Sequence, residues 1–403
     1  MKIRPFWGLL HRYAGLAMTV FLIIVGLTGS LLAFYNELEH AINPQLSVAS
    51  NGRAPLDLAD LIDGAERLSP QTKVQSIWLN DAAAQVSVAP RLNPANAQPY
   101  VLDYDQLFLN PYTGEELGRR ERGAISQGRI NLMPFIYKLH FALALDELGG
   151  WILGITALVW TLDCFVGFYL TLPRTKPSQV SSHSAPHPQR SFAQRWLPAW
   201  TIKWRASKTR INFDLHRAGG LWLWLLLLIF AWSSVYMNLG EQVYKPLMQA
   251  VSDFHQPWTE FPDLDKPIEN PAISWREACQ IGKDAMNRAA VAQGFSVEAP
   301  VAIWLNRAKG FYVYNVRTSL DIQDHAGQTR VVIDAMTGAE KLLLLPTGQY
   351  NGNTITTWLI ALHMANMFGL PYRIVVCVLG LAIVMLSVTG VIIWLKKQQR
   401  RNA

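Results

Sequence analysis

The chain has 403 residues, half of them hydrophobic and 16% charged, with 36 Lys and Arg against 29 Asp and Glu for a net charge of +7. Three cysteines are too few for a disulfide framework, and a chain this polar between its apolar runs does not lie wholly within a bilayer. The excess of basic residues falls beside the apolar runs, where it sets membrane topology, so it does not call for a nucleic-acid partner.

In chain order, residues 1–35 predict a first membrane helix with its N-terminus inside. An apolar run over 13–34 follows Lys2 and Arg4 and reaches the roughly 20 residues that a bilayer core requires. It is longer than a secretory h-region and lacks a clean small-x-small cleavage site, so a retained helix is expected. Residues 36–131 predict an outer domain with a helix over 56–68 and strands over 74–79, 85–89 and 100–109. Residues 132–172 hold an apolar helix too short to span, 132–145, and a second span, 151–172. A basic cytoplasmic loop occupies 173–214. Counted through Arg217 it carries nine Lys and Arg against one acid, Asp214, and its Ser/Pro-rich stretch 179–188 reads as a disordered linker.

The pattern then starts again. Residues 215–239 predict a third span, and 240–354 a second outer domain with a helix over 275–290 and strands over 301–305, 311–316 and 330–333. Residues 355–395 hold a short apolar helix, 357–368, and a fourth span, 374–395, before the basic tail 396–403. By the positive-inside rule both termini and the central loop are cytoplasmic, and the two long connections are outside.

Short motifs recur along the chain. Leu10-His11-Arg12-Tyr13-Ala14-Gly15-Leu16 returns as Leu215-His216-Arg217-Ala218-Gly219-Gly220-Leu221, and Leu139-His140-Phe141-Ala142 as Leu362-His363-Met364-Ala365. Ile77-Trp78-Leu79-Asn80 returns as Ile303-Trp304-Leu305-Asn306, and the Thr-Gly pair of Asn110–Glu115 as that of Asp334–Ala339. The fold class expected is therefore an α-helical membrane protein of four transmembrane helices. It is a tandem two-helix repeat about a pseudo-two-fold along the membrane normal, with two small periplasmic α+β domains.

This arrangement of His-Arg-x-x-Gly-Leu at a first span, Thr-Gly turns in outer helix-and-strand domains, and a Leu-His helix before the second span resembles the PepSY-associated transmembrane family. Within it, the chain is most similar to the siderophore ferric reductase branch, of the ferrioxamine-reductase type. The resemblance covers nearly the whole chain. It implies a bacterial inner-membrane protein with b-type haems that reduces a ferric siderophore in the periplasm. No glycine-rich dinucleotide fingerprint follows a predicted strand, so the electron donor is expected to be a separate cytoplasmic or membrane molecule.

The histidines suit that chemistry. Two imidazoles fill both axial positions of a haem iron and favour electron transfer. The repeat pairs His11 with His216 at the inner face and His140 with His363 at the outer face, giving two haem b groups, while His11 and His140 stand on opposite sides of a roughly 30 Å core. Covalent c-type attachment is unsupported without Cys-x-x-Cys-His, and no carboxylate or cysteine stands at i+3 or i+4 to complete a zinc site. Arg12 and Arg217, directly after their histidines, are candidates for haem propionates or simply mark the inner face.

Asp163 is an acid within a span, and its repeat position is Leu386. It is expected to cap Arg12 or Arg217, the alternatives being to orient a ligand histidine or to carry a proton. His40, His255, His325, His183 and His187 read as surface residues, and Trp78 and Trp304 as core. Competing functions are a ferric-siderophore transporter, for whose hydrophilic path four spans leave little room, and a periplasmic peptide-binding or sensory protein, which would not need intramembrane histidines.

Overall fold

The computed structural model describes residues 3–49, 52–80, 82–174 and 190–402. Lys2, Lys176 and the linker with His183 and His187 lie outside them. The helices in chain order are α1 (Ile3–Leu32), α2 (Tyr35–Ile42), α3 (Leu58–Leu68), α4 (Leu132–Ala142), α5 (Asp146–Thr171), α6 (Phe192–Trp196), α7 (Lys208–Trp222), α8 (Trp224–Leu239), α9 (Lys245–Val251), α10 (Trp275–Gln293), α11 (Asn351–His363) and α12 (Gly369–Asn402). The strands are β1 (Thr72–Leu79), β2 (Ala84–Pro90), β3 (Gln106–Leu109), β4 (Glu116–Arg120), β5 (Val297–Asn306), β6 (Phe311–Thr318), β7 (Thr329–Asp334) and β8 (Glu340–Leu344). Two units result: a helical one (1–33, 138–245, 371–403) and a strand-rich one (34–137, 246–370).

Among the described residues, four segments are long and apolar enough to cross a membrane: Ile3–Leu32, Asp146–Thr171, Trp224–Val251 and Gly369–Arg400. The third starts later than expected. Leu223 leaves helical geometry (φ −97°, ψ 0°) just after Gly219 and Gly220, which weaken helix propensity locally. Antiparallel α1 and α5 are registered by Arg4, whose Nη2 donates to the Leu170 and Leu172 carbonyls at 2.6 and 2.8 Å, capping the C-terminus of α5. Small residues bring α1 against α12: a Cβ on Gly26 would sit 2.7 Å from the Gly380 carbonyl oxygen, and Ser30 Oγ donates to the Cys377 carbonyl at 2.9 Å. The Trp224 indole N–H likewise ties α8 to the Cys164 carbonyl of α5 at 2.9 Å.

The strand-rich unit is a single eight-stranded antiparallel sheet in the order β4-β3-β2-β1-β5-β6-β7-β8, not two separate small domains. Alone, each four-stranded half would leave β1 or β5 as a long unpaired edge, and pairing them removes both. The join is centred on the recurring Ile-Trp-Leu-Asn motif: Ile77 pairs with Ile303, Ser76 with Trp304 and Trp78 with Ala302. Helices α3 and α10 pack on one face, where Leu61, Ile62, Met286, Ile77 and Ile303 share one core. Strand alternation then sends Trp78 to the other face, where it is 39% exposed, correcting its expected place in the core. Trp304 lies on that face as well and packs beside Trp258 and Phe311. The Thr-Gly turns form as expected: Gly114 and Gly338 have φ of +75° and +73°, after Asn110 and Asp334 side chains that accept from the N–H two residues on. Strands β4 and β8, just beyond these turns, were not legible in the sequence because Glu116–Arg120 and Glu340–Leu344 lie at the sheet edges, where apolar alternation is weak.

Candidate functional site

Two of the four recurring histidines meet inside the helical unit. His11 of α1 and His216 of α7 have ring centroids 6.1 Å apart with the planes inclined by 59°. A register built from the helix ends brings each one its partner. His11 lies seven residues after Arg4, and Asp163 seven before Leu170, so the Arg4 cap sets Asp163 level with His11. Both Asp163 carboxylate oxygens accept from His11 Nδ1 at 2.9 Å. On the antiparallel pair α7 and α12, Asn212 Nδ2 donates to the Thr389 carbonyl at 3.1 Å. One turn further on, His216 Nδ1 meets the Leu386 carbonyl at 3.0 Å and Thr389 Oγ1 at 3.1 Å.

These partners fix the tautomers. A carboxylate and a main-chain carbonyl only accept, so Nδ1 carries a proton on both rings and Nε2 is the nitrogen left for another partner. That is the arrangement of a metal-binding histidine, whose other nitrogen is held by a carboxylate or a carbonyl. The separation fits as well. Two metal–nitrogen bonds of about 2.0 Å plus the half-widths of two imidazole rings come to about 6 Å.

A glycine faces each ring. A Cβ on Gly167 of α5 would lie 3.5 Å from His11 Cε1, and one on Gly390 of α12 would lie 3.2 Å from His216 Cε1. Gly167 and Gly390 differ by 223 residues, the offset that separates His140 from His363 and Asp163 from Leu386. Sequence reading missed both glycines. Their signal was a helix-weakening residue within a span, five residues from the end of each expected apolar run, at matching positions.

Asp163 therefore holds a histidine, and the expected capping of Arg12 or Arg217 is corrected. Arg217 is taken by fully buried Asp214, whose Oδ1 accepts from Nη2 at 2.8 Å, and by the Pro198 carbonyl. Arg210 completes that cluster at 2.9 Å from Asp214 Oδ2. Arg12 is half-buried beside His11 and has no hydrogen bond or ion pair among the described residues.

His140 also belongs to the helical unit, with Nδ1 2.9 Å from Thr28 Oγ1. Because Thr28 Oγ1 donates to the Ile24 carbonyl at 2.7 Å, it accepts here, so Nδ1 again bears the proton. Gly29 faces this ring, where a Cβ would lie 3.0 Å from Cε1. His363 ends α11 in the strand-rich unit. Among the remaining histidines, His255 Nε2 pairs with Glu260, His40 contacts Ser47, and the His325 N–H donates to Asn366. No group of three or more His, Cys, Asp or Glu is placed to hold a metal ion among the described residues.

The family model of the PepSY-associated TM region matches residues 9–397. The chain belongs to that family. With its four apolar helices it is a multi-pass membrane protein. The match spans both units and includes all four recurring histidines. No curated protein matches the chain.

Proposed function

We propose that this member of the PepSY-associated TM region family is a haem b oxidoreductase of the bacterial inner membrane. It would pass electrons from a cytoplasmic-side donor to a ferric siderophore in the periplasm. The observation that carries the reading is the His11–His216 pair, with each Nδ1 held by an acceptor, Nε2 of each ring left for a metal, and rings 6.1 Å apart. A haem ligated by two imidazoles has no open position for oxygen and supplies one-electron transfer.

The protein's own residues do the rest. Asp163 and the Leu386 carbonyl fix the two rings, Gly167 and Gly390 leave their flanks clear, and Arg12 beside His11 offers a cation for a propionate. One electron delivered per iron converts the ferric chelate to ferrous iron. Hard oxygen donors hold ferrous iron less firmly, so release needs no hydrolysis. The charge pattern supports cytoplasmic termini and an external strand-rich unit. The recurrence of Ile77-Trp78 and Ile303-Trp304 about the β1–β5 join supports an internal duplication. A second haem on His140 and His363 rests on the sequence repeat.

The test is the absorption spectrum of the detergent-purified protein, oxidised and dithionite-reduced, with pyridine haemochrome quantification. Two b-type haems per chain with six-coordinate low-spin bands are expected, and His11→Ala or His216→Ala should each remove one. Absence of haem after expression with ample haem supply would sink the reductase reading and leave transport or peptide binding.

A further inference from the structure

The two halves of the His11–His216 site differ in one respect. Asp163 and Leu386 occupy matching positions on α5 and α12 and serve the same nitrogen of matching histidines. In one half the acceptor is a side-chain carboxylate, and in the other it is the main-chain carbonyl of a leucine. The third histidine of the helical unit, His140, meets a threonine hydroxyl. The chain thus places a formal negative charge against His11 where geometry alone required only an acceptor.

We infer that Asp163 is a positioning residue that strengthens His11 as an iron ligand and lowers the reduction potential of the haem held by His11 and His216. This rests on the haem reading above. A carboxylate accepting from Nδ1–H pushes electron density into the ring and makes Nε2 the more basic donor. The stronger donor and the nearby negative charge both favour ferric over ferrous iron, so the site gives up its electron more readily. A reductant-facing site with that bias passes electrons onward rather than storing them. The α5 helix supports the placement: Asp163 is followed by Cys164, whose carbonyl is held by Trp224, and the Arg4 cap fixes the helix end. The carboxylate therefore has little freedom to swing away.

Asp163→Asn separates charge from position, because an amide oxygen can still accept from Nδ1–H. We expect Asp163→Asn to keep its haem and its low-spin bands. Its ferric electron paramagnetic resonance g-values should shift, and the lower midpoint potential in a redox titration should rise by a tenfold change in the one-electron equilibrium, ~59 mV. The other midpoint stays in place as an internal control. Asp163→Leu removes the side-chain acceptor as well and should weaken haem retention by about 10- to 100-fold. Asp163→Glu should restore the low potential. If Asp163→Asn fails to accumulate, Asp163→Gln, likewise uncharged and carrying an amide oxygen acceptor, is read in the same way. Wild-type g-values and potential in the uncharged variant would overturn the inference and leave Asp163 as packing. Loss of haem in His11→Ala together with an unchanged Asp163→Asn would refute this inference alone, whereas a haem-free wild-type protein would refute the functional reading beneath it.

Discussion

The contact between α1 and α12 lends itself to a quantitative test. A Cβ built on Gly380 falls 2.3 Å from Ser30 Oγ and 2.5 Å from the Gly26 carbonyl oxygen, whereas ordinary contact begins at 3.4 Å. The serine can rotate, but the carbonyl belongs to a helix backbone, so Gly380→Ala forces the helices apart by roughly 1 Å at a cost of about 1–3 kcal/mol. Ser30 Oγ also loses its bond to the Cys377 carbonyl, worth about 0.5–1.5 kcal/mol. Better helix propensity returns about 1 kcal/mol. The balance is a destabilisation of about 1–3 kcal/mol. Thermal unfolding of the detergent-purified protein should show it as a midpoint lowered on the order of 1–4 °C. Gly15→Ala is the control: nothing lies within 4 Å of its Cβ, so it should be neutral or slightly stabilising. Equal midpoints for Gly380→Ala and Gly15→Ala would refute the close approach and, with it, the placement of α12 that brings Leu386 and Gly390 to His216.

The glycines facing the histidines should differ in tolerance. On the proposed haem reading, Gly390→Ala presses within 3.2 Å of His216 Cε1 and should weaken haem retention several-fold, while Gly167→Ala meets His11 Cε1 at 3.5 Å and should match the wild type in spectrum and haem content. Cys279, buried on α10, has its thiol pushed up to about 12 by burial, with Asp57 adding to the effect. At pH 8 only about one in 10⁴ of these thiols is ionised, so mass spectrometry should find Cys279 unmodified by iodoacetamide in the native protein and modified after denaturation. Because the folded state holds this proton more tightly than the unfolded chain, the stability it contributes is present below pH 9 and is lost as pH rises from 9 toward 12.

Much of the architecture is set locally and could be read without the fold. The four spans follow from uninterrupted apolar length, the basic segments from charge, and most strands from alternation and Gly-containing turns. The candidate histidines were visible because each recurs in the same motif. What the sequence left open were relations between distant segments. Two outer segments of similar pattern could equally be two domains or one sheet, and the choice came from the mutual burial of the β1 and β5 edges. The position of Trp78 turned on which face of that shared sheet the helices cover. Asp163 lies 152 positions from His11 and Leu386 lies 170 from His216. No local rule links such pairs. Helix register links them, set at one end by the Arg4 cap and on α12 by the Gly26–Gly380 approach. The sequence determined by itself which residues could serve a cofactor, because residue type and recurrence are local properties. The tertiary structure decided which nitrogen of each ring is left to do so, because a tautomer is fixed by whatever the other nitrogen touches.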